Sequence, residues 1–430
     1  MSPPPVFSQT TNAAALTPPT GSGHTFKRLL HHGRILNHPA TQPAGTTKIA
    51  SYEIGKLFQL DRETALLAVS LREQGGQDFE IGNDGFIFKN LSEIAPQRAI
   101  PLNRLEAGYK MKSGKLGVLS KYPFNGVIVP LGAKLKDGSP HPAAGSGFFV
   151  CSVITFSPDR SQITPDPDEF VEFYQVQWDG KSLRVTADKL PEPFAAPLKD
   201  IAFNTVAQDS GFITPFGSAL GMQVLRFDYK DGRWQVTGSG HPFGVKTNAQ
   251  GRMQVSEGKI TSIPSEIEPS IVTTPDGYWV YTRGGNNQRG RVYRSRDGLN
   301  YEFAFDHWNH TVPQVLNQSL DGSLYLTTNT GPGWLRNPLL AFALRGRSFV
   351  DPLIVHDEKG IRNDKQPQVP FVDHGIGANI FLNGRWRHFL TYRICDLRET
   401  NGEGAPPTPE TGLYLAELEY ESITHAPFHF

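Results

Sequence analysis

IEPSIVTTPDGYWVYTRGGNNQRGRVYRSRDGLNYEF, residues Ile267 to Phe303, holds a whole structural repeat. Apolar and aromatic side chains alternate through Ile271, Tyr278, Val280 and Thr282, and the two-residue period breaks at Asp276-Gly277, a strong hairpin signal. The stretch predicts two antiparallel strands. A second pair follows, with Arg291-Val292-Tyr293-Arg294 running into Ser295-Arg296-Asp297-Gly298 and returning through Asn300-Tyr301-Glu302-Phe303. Four short strands in fewer than forty residues match one blade of a β-propeller.

The same punctuation recurs along the chain at Asp84-Gly85, Asp137-Gly138, Asp179-Gly180, Asp231-Gly232, Asp276-Gly277, Asp321-Gly322 and Asn383-Gly384. Most intervals are 42 to 53 residues, the length of a blade, and the last is longer with an extra turn candidate at Lys359-Gly360. A sandwich places turns every 8 to 12 residues or so without that longer rhythm. The reading is therefore an all-β chain, a β-propeller of five to seven blades with six the best single number. Residues 1–24 lack periodicity and read as a flexible tail; 25–430 read as a single propeller domain, with a rim loop near Pro158 to Glu169.

Lys plus Arg and Asp plus Glu number 42 each among 430 residues, so formal charge is zero, which argues against a nucleic-acid or membrane-surface partner. The chain carries 43 Gly and 34 Pro with 38% hydrophobic residues, a globular and turn-rich composition with few helices expected. Its two cysteines, Cys151 and Cys395, read as isolated buried thiols. No apolar run approaches a membrane span. The first residues lack a basic segment followed by an apolar core, so location stays open: secreted or periplasmic if a signal was removed, cytoplasmic otherwise. A monomer without cofactor or metal is expected.

Ser295-Arg296-Asp297-Gly298-Leu299-Asn300-Tyr301-Glu302-Phe303 resembles the Asp-box, the Ser-x-Asp-x-Gly-x-x-aromatic hairpin of the sialidase-like propeller superfamily, with the glycine one place early. The resemblance implies that the Asp ties down the turn and the aromatic packs between blades. Glu268-Pro269-Ser270 is similar to the acidic strand starts that line the central funnel of glycan-active propellers, which implies a carboxylate pointing toward the axis. The implied activity is cleavage of a glycan.

Glycosidic hydrolysis needs two carboxylates across the bond. Glu268 and Asp373 are the catalytic candidates, with His374 beside Asp373; Asp84 reads as a turn residue and Asp78 as a loop residue. Arginine presents a planar fork matched to an anionic sugar, and Arg283, Arg336 and Arg393 lie where strand ends or Gly-rich loops are predicted. The arginine triad and Tyr–Glu pair of true sialidases cannot be matched residue by residue. His141 and His241 on Gly/Pro-rich loops, with Tyr174 and Tyr281, offer acid–base groups for β-elimination of a uronate glycan. Trp308 and Trp334, on loops, are candidates for stacking on a sugar, whereas Trp178, Trp234 and Trp386 beside turns read as packing residues. The reading is thus a glycan-active enzyme, an exo-acting glycoside hydrolase of the sialidase-like kind on an oligo- or polysaccharide. A polysaccharide lyase and a non-enzymatic carbohydrate- or protein-binding propeller are the alternatives.

Overall fold

Period-two alternation becomes strand along nearly all of the chain that the computed structural model describes: residues 26–37, 49–73, 80–95, 98–165, 168–188, 206–208, 211–218, 221–240, 245–247, 253–255, 266–274, 276–284, 290–298, 300–307, 312–329, 336–358, 370–396, 411–423 and 426–430. The fold is all-β, with one short 3-10 turn at Leu91–Glu93 among the described residues. The founding stretch folds as four antiparallel strands, Glu266–Thr274, Gly277–Gly284, Gly290–Ser295 and Glu302–His307, paired in that order.

Equivalent arrays follow and precede it. Val315–Gln318, Leu324–Asn329, Leu339–Arg345 and Ser348–His356 form one sheet, and Val206–Gln208, Gly211–Ser218, Gly221–Lys230 and Arg233–Gly240 another. Strands from Ile49 to Arg104 and from Asn125 to Asp188 give two more four-strand arrays, joined into a larger sheet through Glu106–Lys110, Leu116–Lys121 and a parallel bridge between Ile81 and Lys121. Val245–Thr247 and Met253–Val255 pair as a small hairpin, and in the last four-stranded sheet Pro370–Leu382, Arg385–Asp396 and Gly412–Tyr420 are completed by Phe26–Asn37 from the other end of the chain. That pairing protects the outer edge of the last sheet and ties the two ends of the chain together.

Contacts between arrays run in a closed circuit, from Ile49–Gln59 to Pro370–Leu382, Val315–Gln318, Glu266–Thr274, Gly211–Ser218, Asn125–Ile128 and back to Ile49–Gln59. Neighbouring arrays bury aromatics against each other. Phe148 stacks on Phe227 at 4.1 Å between ring centres, with Trp234 fully buried beside them. Each such side chain contributes about 1.5–3 kcal/mol of transfer free energy. Trp178 is likewise buried, its indole N–H donating to Asp61, and Trp386 packs on Phe381 and Phe430.

Six of the seven expected turns are turns, but at different places in their arrays: Asp276, Asp321 and Asn383 join the first two strands, Asp179 the last two. Asp84-Gly85 is the exception. It lies inside the strand Glu80–Phe88, where Asp84 is completely buried and paired with Arg104 at 2.5 Å. The ion pair lets an acidic residue occupy an interior strand position that local turn propensity would not predict. Asn317, part of a glycosylation triplet, is buried and hydrogen-bonded to Val315 and Gly375.

Candidate functional site

Three strands of the circuit carry the same irregularity near their heads. The pairing register shifts between Tyr52 and Gly55, between Ile267 and Ser270, and between Asp373 and Ile376. Glu268 and His374 adopt left-handed backbone at φ 51° and 54°, rare for residues with a Cβ. Bulges of this kind re-aim side chains out of the ladder. In all three an acid is followed two residues later by a small one: Glu53-Ile54-Gly55, Glu268-Pro269-Ser270 and Asp373-His374-Gly375. Pro269 inside its bulge leaves no ladder hydrogen bond unmade.

The re-aimed carboxylates gather arginines. Arg393 holds Asp373 with both prongs, Nε to Oδ1 and Nη2 to Oδ2, each at 2.9 Å. Arg336 donates to Oδ2 at 2.6 Å, and His374 Nδ1 donates to Oδ1 at 2.7 Å. Arg393 pairs also with Glu53, whose second oxygen lies 3.8 Å from Arg72. Arg283 pairs with Glu268 at 2.5 Å. Among the described residues, four arginines thus face three carboxylates.

Exposure divides the group. Asp373 is fully buried, whereas the Glu268 side chain is 23% exposed and that of Arg336 21%. Burial pushes Asp373 upward, but His374 and Arg336 outweigh it and hold the carboxyl below its ordinary range. Burial works against the Arg336 cation, and Asp373 with Glu268 overcomes it and raises the pKa. Arg336 lies 4.8 Å over the Phe371 ring, and its Nε reaches no hydrogen-bond partner. Asp373 is therefore fixed as an anion that orients two arginines, and Glu268 is the carboxylate that can meet solvent or a ligand.

The structure brings five expected site residues together, Glu268, Asp373, Arg283, Arg336 and Arg393. Arg393 sits well inside the strand Arg385–Asp396, opposite Asp373, rather than at a strand end. His141 and Tyr174 are engaged elsewhere. His141 is buried in a turn, its Nδ1 accepting the Ala143 amide at 3.1 Å. Tyr174 donates to Glu172, itself paired with Lys121, and accepts from Asn103 at 3.3 Å. Burial, then Cys151 and Glu172, raises its pKa, the reverse of what a tyrosine base requires. Tyr281 is completely buried, donates to Gln314 and packs edge-on against Phe349, so it faces a neighbouring array and not a sugar. For Tyr174 and Tyr281 the reason is shared: a strand's two faces look alike in sequence when both are buried. His241, Trp308, Trp334 and Asp78 lie outside the described residues. Sequence reasoning missed Glu53 and Arg72; the repeated acid-x-small triplet was the signal for Glu53.

In the turn of the founding repeat, Ser295 Oγ donates to Asp297 at 2.9 Å, and Asp297 accepts the Asn300 amide at 2.8 Å. Ser157–Asp159 and Ser319–Asp321 repeat the Ser–Asp hydrogen bond in turns of their own.

No protein-family model and no curated protein matches the chain. Solved structures do. The NanB sialidase of Streptococcus pneumoniae superposes with a TM-score of 0.54 at 10% identity, over 93% of this chain and 71% of that one. Trypanosoma rangeli sialidase, solved in complex with sialic acid, gives 0.49 at 11%, over 95% of this chain, which spans 60% of that protein's length. A neuraminidase-like protein from A/bat/Guatemala/164/2009 gives 0.48 at 7%. The chain has a sialidase-like β-propeller fold.

Proposed function

We propose that the protein is a glycan-active propeller, an exo-acting glycoside hydrolase that works at the cluster around Glu268. Reading each four-strand array as a blade gives six, within one body from residue 25 to 430. The observation that carries the proposal is the set of three bulged strand heads that turn carboxylates and arginines toward one place. Arg336 and Arg283 supply forks for an acidic sugar, Glu268 handles the proton, and Asp373 with Glu53 positions the arginines. Carbohydrate is the expected partner.

A second reading is favoured by one observation. Hydrolysis needs two working carboxylates, and Asp373 is shut away beneath two arginines and a histidine. A carbohydrate-binding propeller needs only the arginines. Incubation with neutral, sialylated and uronate-containing glycans separates the readings. New reducing ends without the absorbance of an unsaturated uronate support hydrolysis, and Glu268→Gln then lowers turnover by about 100-fold or more with binding retained. Binding without product supports the second reading, and rising absorbance refutes both in favour of elimination.

A further inference from the structure

The rim opposite Glu268 has a groove of its own. The strand Glu266–Thr274 leads from Glu268 to the turn at Asp276, about 20 Å or more away at ~3.3 Å per residue. Tyr278 pairs with Ser295, so the turn after Ser295 returns to that same rim. A groove of about 600 Å³ lies along the two turns, a size typical of ligand sites.

One group in its lining is unsatisfied. Tyr301 is only 8% exposed, and its hydroxyl reaches no hydrogen-bond partner. A buried hydroxyl is ordinarily paired, so an unmatched one on a residue that lines a groove marks a place for a ligand atom. Burial, then Tyr278 and Asp297, raises its pKa well above the ordinary value, which keeps it an O–H donor. Around it, Arg294 and Arg296 form no ion pair among the described residues, and neither do the exposed carboxylates of Asp276 and Glu302. Tyr278 and Trp279 add aromatic surface to the wall.

That lining selects its ligand. An anion would meet the carboxylates and a cation the guanidiniums, while a hydroxyl-rich neutral molecule uses both as acceptors and donors and lays apolar C–H faces on the rings. We propose that this groove binds a neutral oligosaccharide at a site separate from the Glu268 cluster, so that the propeller holds a glycan on one rim while acting from the other. The inference rests on the proposed function only for the class of ligand.

The test is titration of maltotetraose, cellotetraose, chitotetraose and mannotetraose, followed by saturation-transfer NMR and thermal shift. At least one should bind wild type and Glu268→Gln with equal affinity. Arg296→Ala and Tyr301→Phe should each weaken that binding about tenfold or more. Tyr301→Phe should melt at or above the wild-type temperature without ligand, because it deletes only an unpartnered hydroxyl, and should lose the ligand-induced shift. The proposal fails if no neutral tetrasaccharide binds, if binding survives both groove substitutions, if Glu268→Gln abolishes it, or if Tyr301→Phe melts lower. Binding that follows Arg296 and Tyr301 without any turnover upholds the groove and refutes the proposed activity; turnover without such binding does the reverse.

Discussion

Replacing Asp373 by Asn removes one charge from a buried carboxylate that four side-chain hydrogen bonds hold at 2.6 to 2.9 Å. The amide keeps the shape, but one of its two positions becomes a donor facing guanidinium donors, and Arg336 and Arg393 lose their shared anion. Breaking a buried pair from one side costs about 3–5 kcal/mol. Unfolding entropy of about 2.1 cal/mol/K per residue amounts to ~0.9 kcal/mol/K over 430 residues. The melting temperature should then fall by about 3–6 °C at neutral pH. Asp351→Asn is the control: its pair with Arg345 is more than half exposed on both sides, and such pairs contribute at most about 1 kcal/mol. The acid limb offers a second readout. Asp373 has a folded pKa below its unfolded one, so its stabilisation is complete above roughly pH 4 and is lost as pH falls through the folded value. The difference between wild type and Asp373→Asn should shrink on acidification. A calorimetric shift for Asp373→Asn no larger than that of Asp351→Asn, or a difference that does not change with pH, would refute the charge-anchor argument.

Three further expectations follow from other parts of the molecule. Glu417 accepts from Arg387 at 2.8 Å and from His32 at 2.8 Å; burial raises its pKa, but these partners hold it at about 2, so its contribution to the closing pair of terminal strands is present above about pH 4.5 and fades toward 2. Glu417→Gln should make the segment 26–37 more readily cleaved by a neutral protease, and unchanged protection would count against it. A Cβ on Gly147 would stand 2.2 Å from the Val127 carbonyl oxygen across a strand pair, so Gly147→Ala should destabilise by about 3 kcal/mol or more, read from denaturant midpoints. Burial, followed by Glu172, raises the Cys151 thiol far above its ordinary pKa, and Cys395 is also buried. Neither should react with a thiol reagent in the native protein and both should on unfolding; rapid native labelling would show the packing to be wrong.

Much of the architecture is legible because its causes are local. Asp-Gly and Asn-Gly favour turns wherever they occur, and alternation of apolar residues needs only a sheet with one covered face. The strand heads at Glu268 and Asp373 stood out for the same reason, a charged residue beside Pro or His-Gly where a ladder begins. Asp84-Gly85 shows the limit. Its turn propensity is overridden by a partner, Arg104, supplied by another strand. Tyr174 and Tyr281 show it again: nothing in a side chain's own neighbourhood says which of two buried faces it occupies or what accepts its proton.

The sequence by itself determined an all-β repeat, the strand breaks and the residue types available to the candidate site, since these depend on composition and backbone propensity within a few residues. Tertiary structure alone decided which of those residues meet. Glu53 and Arg393 lie 340 positions apart and Asp373 and Arg336 37, yet they form one cluster because three bulged strands converge. It also decided that Asp373 is a buried, ion-paired anion, because only the packed arrays could strip water from that carboxylate and supply the cations that keep it charged.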